Sequence, residues 1–251
     1  MLNGEMLMVW FLASVRATGL MIISPVFSSQ AIPRSVRAMM ALFAGFVVSG
    51  VFRMPESVPV TTGNIVVAMI LEMIIGMFMG WAVRLSTHAI ELAGSVISSE
   101  LGFSMGQQID PTSGDSSNAV SSILLTFGSL VFLISGAHQA VLAAYLKSYE
   151  IAPVGMFRAS HEVGTLLVTS TGKIFQVAVQ MAAPLVAVNF IISLTFSILG
   201  KAAPAVQVFS ESFAVRIVVG LFVLGMTLQL VSQLLLEQLR LAPDLMLRLV
   251  P

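Results

Sequence analysis

The chain has 251 residues, of which 57% are hydrophobic and only 10% charged, and its mean hydropathy is +0.97. A soluble domain carries about 25% charged residues, so this chain belongs in or against a membrane. Twelve Lys and Arg balance twelve Asp and Glu, which leaves no basic excess for nucleic acid, and the lack of cysteine excludes disulfides and thiolate metal sites.

The N-terminus, Met1 to Trp10, carries Glu5 and no basic residue ahead of its apolar run, and Arg16 interrupts that run. The first segment therefore reads as a permanent helix and not as a cleaved signal peptide. Apolar stretches follow from Met6 to Ile23, Ala38 to Phe52, Asn64 to Val83, Ala119 to Leu146, Phe175 to Leu199 and Phe213 to Leu236. Most approach the roughly 20 residues that a helix needs to cross the hydrocarbon core, and the pattern specifies an all-α membrane protein. The second stretch is short and reads as half of a hairpin. Pro25 and Pro33 bracket the first turn, Pro55 and Pro59 the second, and Pro204 the last.

The Lys/Arg asymmetry between alternate loops that normally fixes orientation is missing. Arg34, Arg37, Arg84 and Lys201 fall on one side, and Arg53, Lys147, Arg158, Lys173, Arg240 and Arg248 on the other. Two readings stay open: an ordinary six-span protein, or hydrophobic helices buried mainly against partner subunits.

After the third apolar stretch, Arg84, His88, Glu91, Ser95, Ser98 and Gly102 recur at three- and four-residue steps on one helical face, with Leu85, Ala89, Leu92, Val96 and Phe103 elsewhere and Glu100 off the stripe. Such a face should look at water, in a lumen or at a membrane surface. The helix runs into Ser104 to Asn118, the longest polar, turn-forming stretch. Asp110 before Pro111 disfavours helix, and Gly106 and Gly114 permit backbone geometry closed to other residues. By itself this stretch reads as a solvated connector.

Candidate chemistry is sparse. The histidines are His88, His138 and His161, the last adjoining Glu162, and none is read as standing three or four residues from another His or a carboxylate in a metal-ligand pattern. No serine sits in a nucleophile elbow and no glycine-rich phosphate loop appears, so no metal, cofactor or catalytic centre is expected. Glu72, Gly76 and Gly80 follow at four-residue steps, which places a carboxylate and a small-xxx-small groove on one helix face suited to close contact with another helix. A carboxylate at that depth needs a partner, and Arg16 and Arg216 are both candidates. Met69, Met73 and Met77 lie at successive helical steps; they read as core, or as an adaptable seal around a passing chain.

The order of motifs now resembles that of a known family. Val15-Arg16-Ala17 leads to Ser24-Pro25-Val26-Phe27 and Ala31-Ile32-Pro33-Arg34-Ser35-Val36-Arg37. Gly102 to Met105 with Asp110-Pro111, Val131-Phe132-Leu133 to Gly136 and His138, and Pro153-Val154-Gly155 follow in the centre. Ala183-Pro184, Lys201-Ala202-Ala203-Pro204, Val208-Phe209, Phe213 and Gly220 close the series. It resembles the FliR family of flagellar export proteins over nearly the whole chain, with the virulence-type SctT group sharing much of the pattern. Ala205 stands where the family usually has Gln, and Ser212 and Ala214 stand where it often has Gly and Pro, departures that bear on local turn geometry and not on membership.

The resemblance implies one domain, residues 1–251, with N-terminal helical hairpins over 1–174 and a C-terminal hairpin over 175–251. It implies helical hairpins packed into a cone-like export gate with FliP and FliQ, beside FlhB and FlhA, in the inner membrane at the flagellar basal body. The gate passes unfolded proteins, and the subunit is not an enzyme. It further implies that Ser104 to Asn118, including Met105, Gly106, Gln107, Gln108, Asp110, Pro111 and Gly114, projects into the channel as a plug. Arg16, Glu72, Gly76, Gly80, Pro184 and Pro204 then serve helix packing and assembly, and Arg84, His88, Glu91 and Ser95 are candidates to face the lumen. A solute transporter is the rival from another class, which Glu72 and Pro184 leave open.

Overall fold

The computed structural model describes residues 4–29, 32–52, 62–103, 119–156, 161–203 and 208–250. These form seven α-helices and no strand: α1 (Gly4–Ile23), α2 (Arg34–Val51), α3 (Thr62–Glu100), α4 (Ala119–Ile134), α5 (Ala137–Ile151), α6 (His161–Ala202) and α7 (Val208–Arg248). Among the described residues five helices, α1, α2, α3, α6 and α7, are long and apolar enough to cross a membrane, and α4 with α5 is a further candidate if the pair counts as one broken span.

The apolar stretches in the sequence mark only part of the longer helices. The third stretch and the amphipathic segment after it form one helix, α3, of 39 residues, while α6 has 42 and α7 has 41. At 1.5 Å per residue their contour lengths are roughly 60 Å, about twice the hydrocarbon thickness. Conversely, the single stretch Ala119 to Leu146 is broken. Gly136 adopts φ +72°, a left-handed conformation that ends α4 and starts α5. Helix α3 stops because Gly102, at φ +83°, turns the chain so that Phe103 N–H reaches the Ser98 carbonyl at 3.1 Å, which satisfies a carbonyl that the helix end would leave bare.

The chain divides into two compact units. One comprises Met1–Ser86, Phe132–Thr171 and Gln238–Pro251; the other comprises Thr87–Val131 and Gly172–Glu237. In the first, α1 is the central element. Val9, Leu12, Ala13, Arg16, Ala17, Leu20 and Met21 are all buried, α1 packs along α2, and the end of α7 adds buried Leu239, Ala242 and Met246. In the second, the buried stripe Ala89, Ile90, Ala93 and Ile97 of α3, with Leu101 just after it, shares a core with Leu124 of α4, Met181 and Leu185 of α6, and Val231 and Leu235 of α7.

Candidate functional site

Helices α1 and α3 approach until their backbones touch. A Cβ on Gly76 would collide with the Arg16 carbonyl oxygen, and one on Gly80 would lie 2.7 Å from the Leu20 carbonyl. From the other side, a Cβ on Gly19 would lie 2.6 Å from the Met73 carbonyl. Three glycines, two on α3 and one on α1, therefore remove the side chains that would hold the helices apart. The face formed by Glu72, Gly76 and Gly80 is thus filled by α1 of the same chain. Gly45 gives α2 the same closeness to α1 at Ser14 and Trp10.

That approach brings Arg16 and Glu72 together with no exposed surface on either. Arg16 Nε donates to Glu72 Oε2 at 2.5 Å and Nη2 donates to Oε1 at 3.1 Å, the paired geometry that a planar guanidinium offers a carboxylate. The remaining donors leave the pair. Nη1 reaches Ser148 Oγ at 2.9 Å and Nη2 also reaches the Ala152 carbonyl at 3.0 Å. The Tyr149 ring lies 3.9 Å from the guanidinium carbon and adds a cation–π contact.

The partners at the end of α5 are set by local chemistry. Ala152 caps α5 through its N–H to the Ser148 carbonyl, so its own carbonyl belongs to the electronegative end of a helix, where a cation is favoured. Pro153 cannot continue the helix. The following turn is closed by Met156 N–H to the Pro153 carbonyl, with Gly155 at φ +80°, a conformation that glycine adopts freely. This turn aims Gly155 N–H at Glu72 Oε1, 2.9 Å away. Above it, Tyr145 donates to the Ala13 carbonyl of α1 at 2.9 Å, and Tyr149 donates to the Tyr145 hydroxyl at 3.2 Å. One buried polar cluster thus ties α1, α3 and the end of α5. The second candidate partner for Glu72, Arg216, instead donates to Ser193 Oγ at 3.0 Å in the other unit.

The second unit holds a smaller polar node. Asn189 Nδ2 donates to the Glu100 carbonyl at 2.5 Å and to Glu100 Oε2 at 2.7 Å, and Ser193 Oγ donates to the Asn189 carbonyl. Beside it the Phe213 ring occupies the space of the missing Gly102 side chain, and Leu101 fills that of Gly220. The turn that ends α3 is therefore fastened to both α6 and α7.

The other residues singled out from the sequence are dispersed. Arg84, His88 and Ser95 are half-buried and Glu91 exposed, while Ala89, Ile90, Ala93 and Ile97 of the same helix are buried. His88 Nδ1 lies 3.0 Å from Glu91 Oε2, an i,i+3 pair, so His88 does stand one helical turn from a carboxylate. Among the described residues no three His, Asp or Glu side chains are grouped to hold a metal. Pro184 lies inside α6. Met69 and Met73 are half-buried and Met77 is exposed, so this methionine stripe is not core. Met105, Gly106, Gln107, Gln108, Asp110, Pro111, Gly114 and Pro204 lie outside the described residues. The sequence reading missed Tyr145, Ser148 and Tyr149, although the chain's two tyrosines stand one helical turn apart. It also missed Asn189, whose signal is an amide within an apolar helix, and Gly19, which faces Gly76.

Residues 7–242 match the sequence profile of the bacterial export proteins, family 1. The chain belongs to this family. It is 26% identical over 230 residues to the flagellar biosynthetic protein FliR of Caulobacter vibrioides, covering 91% of this chain and 92% of the relative. It is 24% identical to the protein of the same name from Bacillus subtilis, over 86% of this chain and 84% of the relative. The surface presentation of antigens protein SpaR of Shigella sonnei is 26% identical over 156 residues, 62% of this chain and 60% of the relative. Arg16 and Gly155, in motifs far apart in sequence, both bond to Glu72, while Gly102, Phe213 and Gly220 build the second node.

Proposed function

We propose that this chain is a non-catalytic core subunit of the flagellar type III protein export gate. It joins FliP- and FliQ-like subunits, beside FlhB- and FlhA-like proteins, around the channel for unfolded flagellar substrates, in the inner membrane at the basal body. The observation that carries this reading is the family match over residues 7–242. The flagellar relatives cited cover 86–91% of the chain and the SpaR relative 62%, which favours the flagellar system over the virulence one. A scaffolding role fits the chemistry of the cluster, because Arg16 and Glu72 are fully buried and held by protein groups.

Assembly with other subunits is supported by α6 and α7. Val168, Phe190 and Ile198 on α6, and Val218, Phe222 and Met226 on α7, are all more than 60% exposed, on helices about twice as long as a bilayer core. Lipid can cover only part of such a helix, and neighbouring hydrophobic subunits can cover the rest. In this reading residues 104–118 plug the resting channel, which their polar, turn-forming sequence supports, and Arg84, His88, Glu91 and Ser95 face the lumen.

The test is a chromosomal deletion in the host bacterium, read by secretion of flagellar filament protein, together with the mass of the complex recovered through a tagged copy. Loss of secretion and a tagged complex much heavier than 26.7 kDa are expected. Normal secretion from the deletion strain, or a tagged chain recovered as a stable monomer, would overturn the proposal; the monomer would revive the transporter reading.

A further inference from the structure

A cavity of about 210 Å³ opens between α1, α2 and α5, lined by Met21, Met40, Ala44, Val47, Leu142 and Leu146 among others. Its lining is apolar except for Tyr145, whose hydroxyl donates to the Ala13 carbonyl. A cavity of roughly 150 Å³ with such walls stays dry and accepts a hydrocarbon. Water is therefore a poor occupant here, and a segment of alkyl chain is a suitable one.

The charge lies at one end. Met40, Ala44 and Val47 recur at helical steps, and Arg37 continues the stripe one turn towards the N-terminus, with Arg34 a turn beyond. Arg37 Nη2 donates to the Ser29 carbonyl at 3.1 Å, a neutral partner, and among the described residues no carboxylate pairs with either arginine. Both sit in the first turn of α2, where the helix dipole repels cations. That turn has no acidic residue and no side-chain cap. An anion beside Arg34 and Arg37 would relieve each of these terms at once.

The spacing selects the kind of anion. From Arg37 to Val47 is ten residues, roughly 15 Å of helix, which is about half the thickness of the hydrocarbon core. A molecule with its negative charge at Arg34 and Arg37 and its tail along Met40 to Val47 has the dimensions of one leaflet. We propose that the groove of α1, α2 and α5 holds an acyl chain of an anionic phospholipid whose phosphate pairs with Arg34 and Arg37. The lipid then fills the cavity against Tyr145, next to the buried cluster.

The experiment uses the full-length chain, purified with whatever subunits it retains, in nanodiscs of phosphatidylcholine. The discs carry a trace of phosphatidylglycerol or, separately, phosphatidylcholine with a diazirine on one acyl chain. After irradiation, labelled residues are mapped by peptide mass spectrometry, with exposed Val168 and Phe190 of α6 as internal reference. A basic residue at an anionic membrane surface changes binding about fivefold. With two such residues, labelling of Met40, Val47, Leu142 and Leu146 should therefore exceed that from the phosphatidylcholine probe by roughly 25-fold. The variant R34Q/R37Q should bring that ratio near one, and A44F should lose groove labelling while keeping the α6 reference. R34Q/R37Q alters partly or fully exposed side chains, so it keeps the proposal testable if A44F does not fold. Equal labelling by the two probes overturns the proposal, as does groove labelling that survives in folded A44F. A silent groove beside a labelled α6 also overturns it, because a protein surface then covers the site.

Discussion

Replacing Glu72 by leucine should be among the most damaging single changes in the chain. Arg16 would remain fully buried with the Ser148 hydroxyl, the Ala152 carbonyl and the Tyr149 ring but no carboxylate to meet it, and Gly155 N–H would lose its acceptor. Removing one member of a buried ion pair costs about 3–5 kcal/mol. Arg16→Met leaves the reverse defect, a buried carboxylate supported by one backbone N–H, and should cost a similar amount. The double variant removes both charges but still leaves the Ala152 carbonyl and Gly155 N–H unmatched, at about 1–3 kcal/mol each. Its total should therefore fall below the sum of the two single losses, with a coupling of roughly 2 kcal/mol or more. Arg16→Lys keeps the charge but cannot form the paired contact, and should lie between wild type and Arg16→Met. At about 2–4 °C per kcal/mol for a chain of this size, each leucine or methionine single variant should lower the melting midpoint by roughly 6–20 °C. The assay is thermal unfolding of a fluorescent fusion of the full-length chain in mild detergent, read by size-exclusion chromatography. Single variants within about 2 °C of wild type, or losses that simply add in the double variant, would refute the claim that the pair acts as one clamp.

Gly76→Ala should cost about 1–3 kcal/mol, because its Cβ meets a backbone oxygen of α1, whereas Gly225→Ala has nothing within 4 Å and should cost nothing; equal melting midpoints would show that α1 and α3 can separate freely. Gly155→Ala should lose about 1–2 kcal/mol, since φ is +80° there, and the same melt reads it. Asn189→Ala deprives the Glu100 carbonyl and carboxylate of their shared donor, so amide hydrogen exchange over Ser98 to Phe103 should accelerate; unchanged protection would mean that Phe213 alone holds that turn. Deleting residues 106–114 should leave assembly intact by pulldown but raise the ion permeability of the membrane, because a conduit wide enough for an unfolded chain leaks unless occupied, and an intact, tight complex would return the stretch to a simple connector.

Several features follow from the sequence alone, because they depend on composition and local geometry. Low charge and long apolar runs fix the membrane class. A carboxylate four residues from one glycine and eight from another on an apolar helix demands both a cation and a close neighbour, and Arg16 is one of two arginines on apolar segments that could supply the first. Helix ends were partly legible, since Pro25 and Pro33 bracket the turn between α1 and α2; Gly136 was not, because an apolar run hides a single left-handed residue that interrupts it. Sequence could not decide between Arg16 and Arg216, as both are equally costly to bury alone. It also could not show that Gly76 faces Gly19 of the same chain. Those choices depend on which helices the chain brings within a few ångströms, and residues 16, 72 and 155 become partners only when α1, α3 and the end of α5 converge. The same holds for Asn189 and Glu100, 89 positions apart. An amide in an apolar helix announces that it needs a partner, but only tertiary packing says which one.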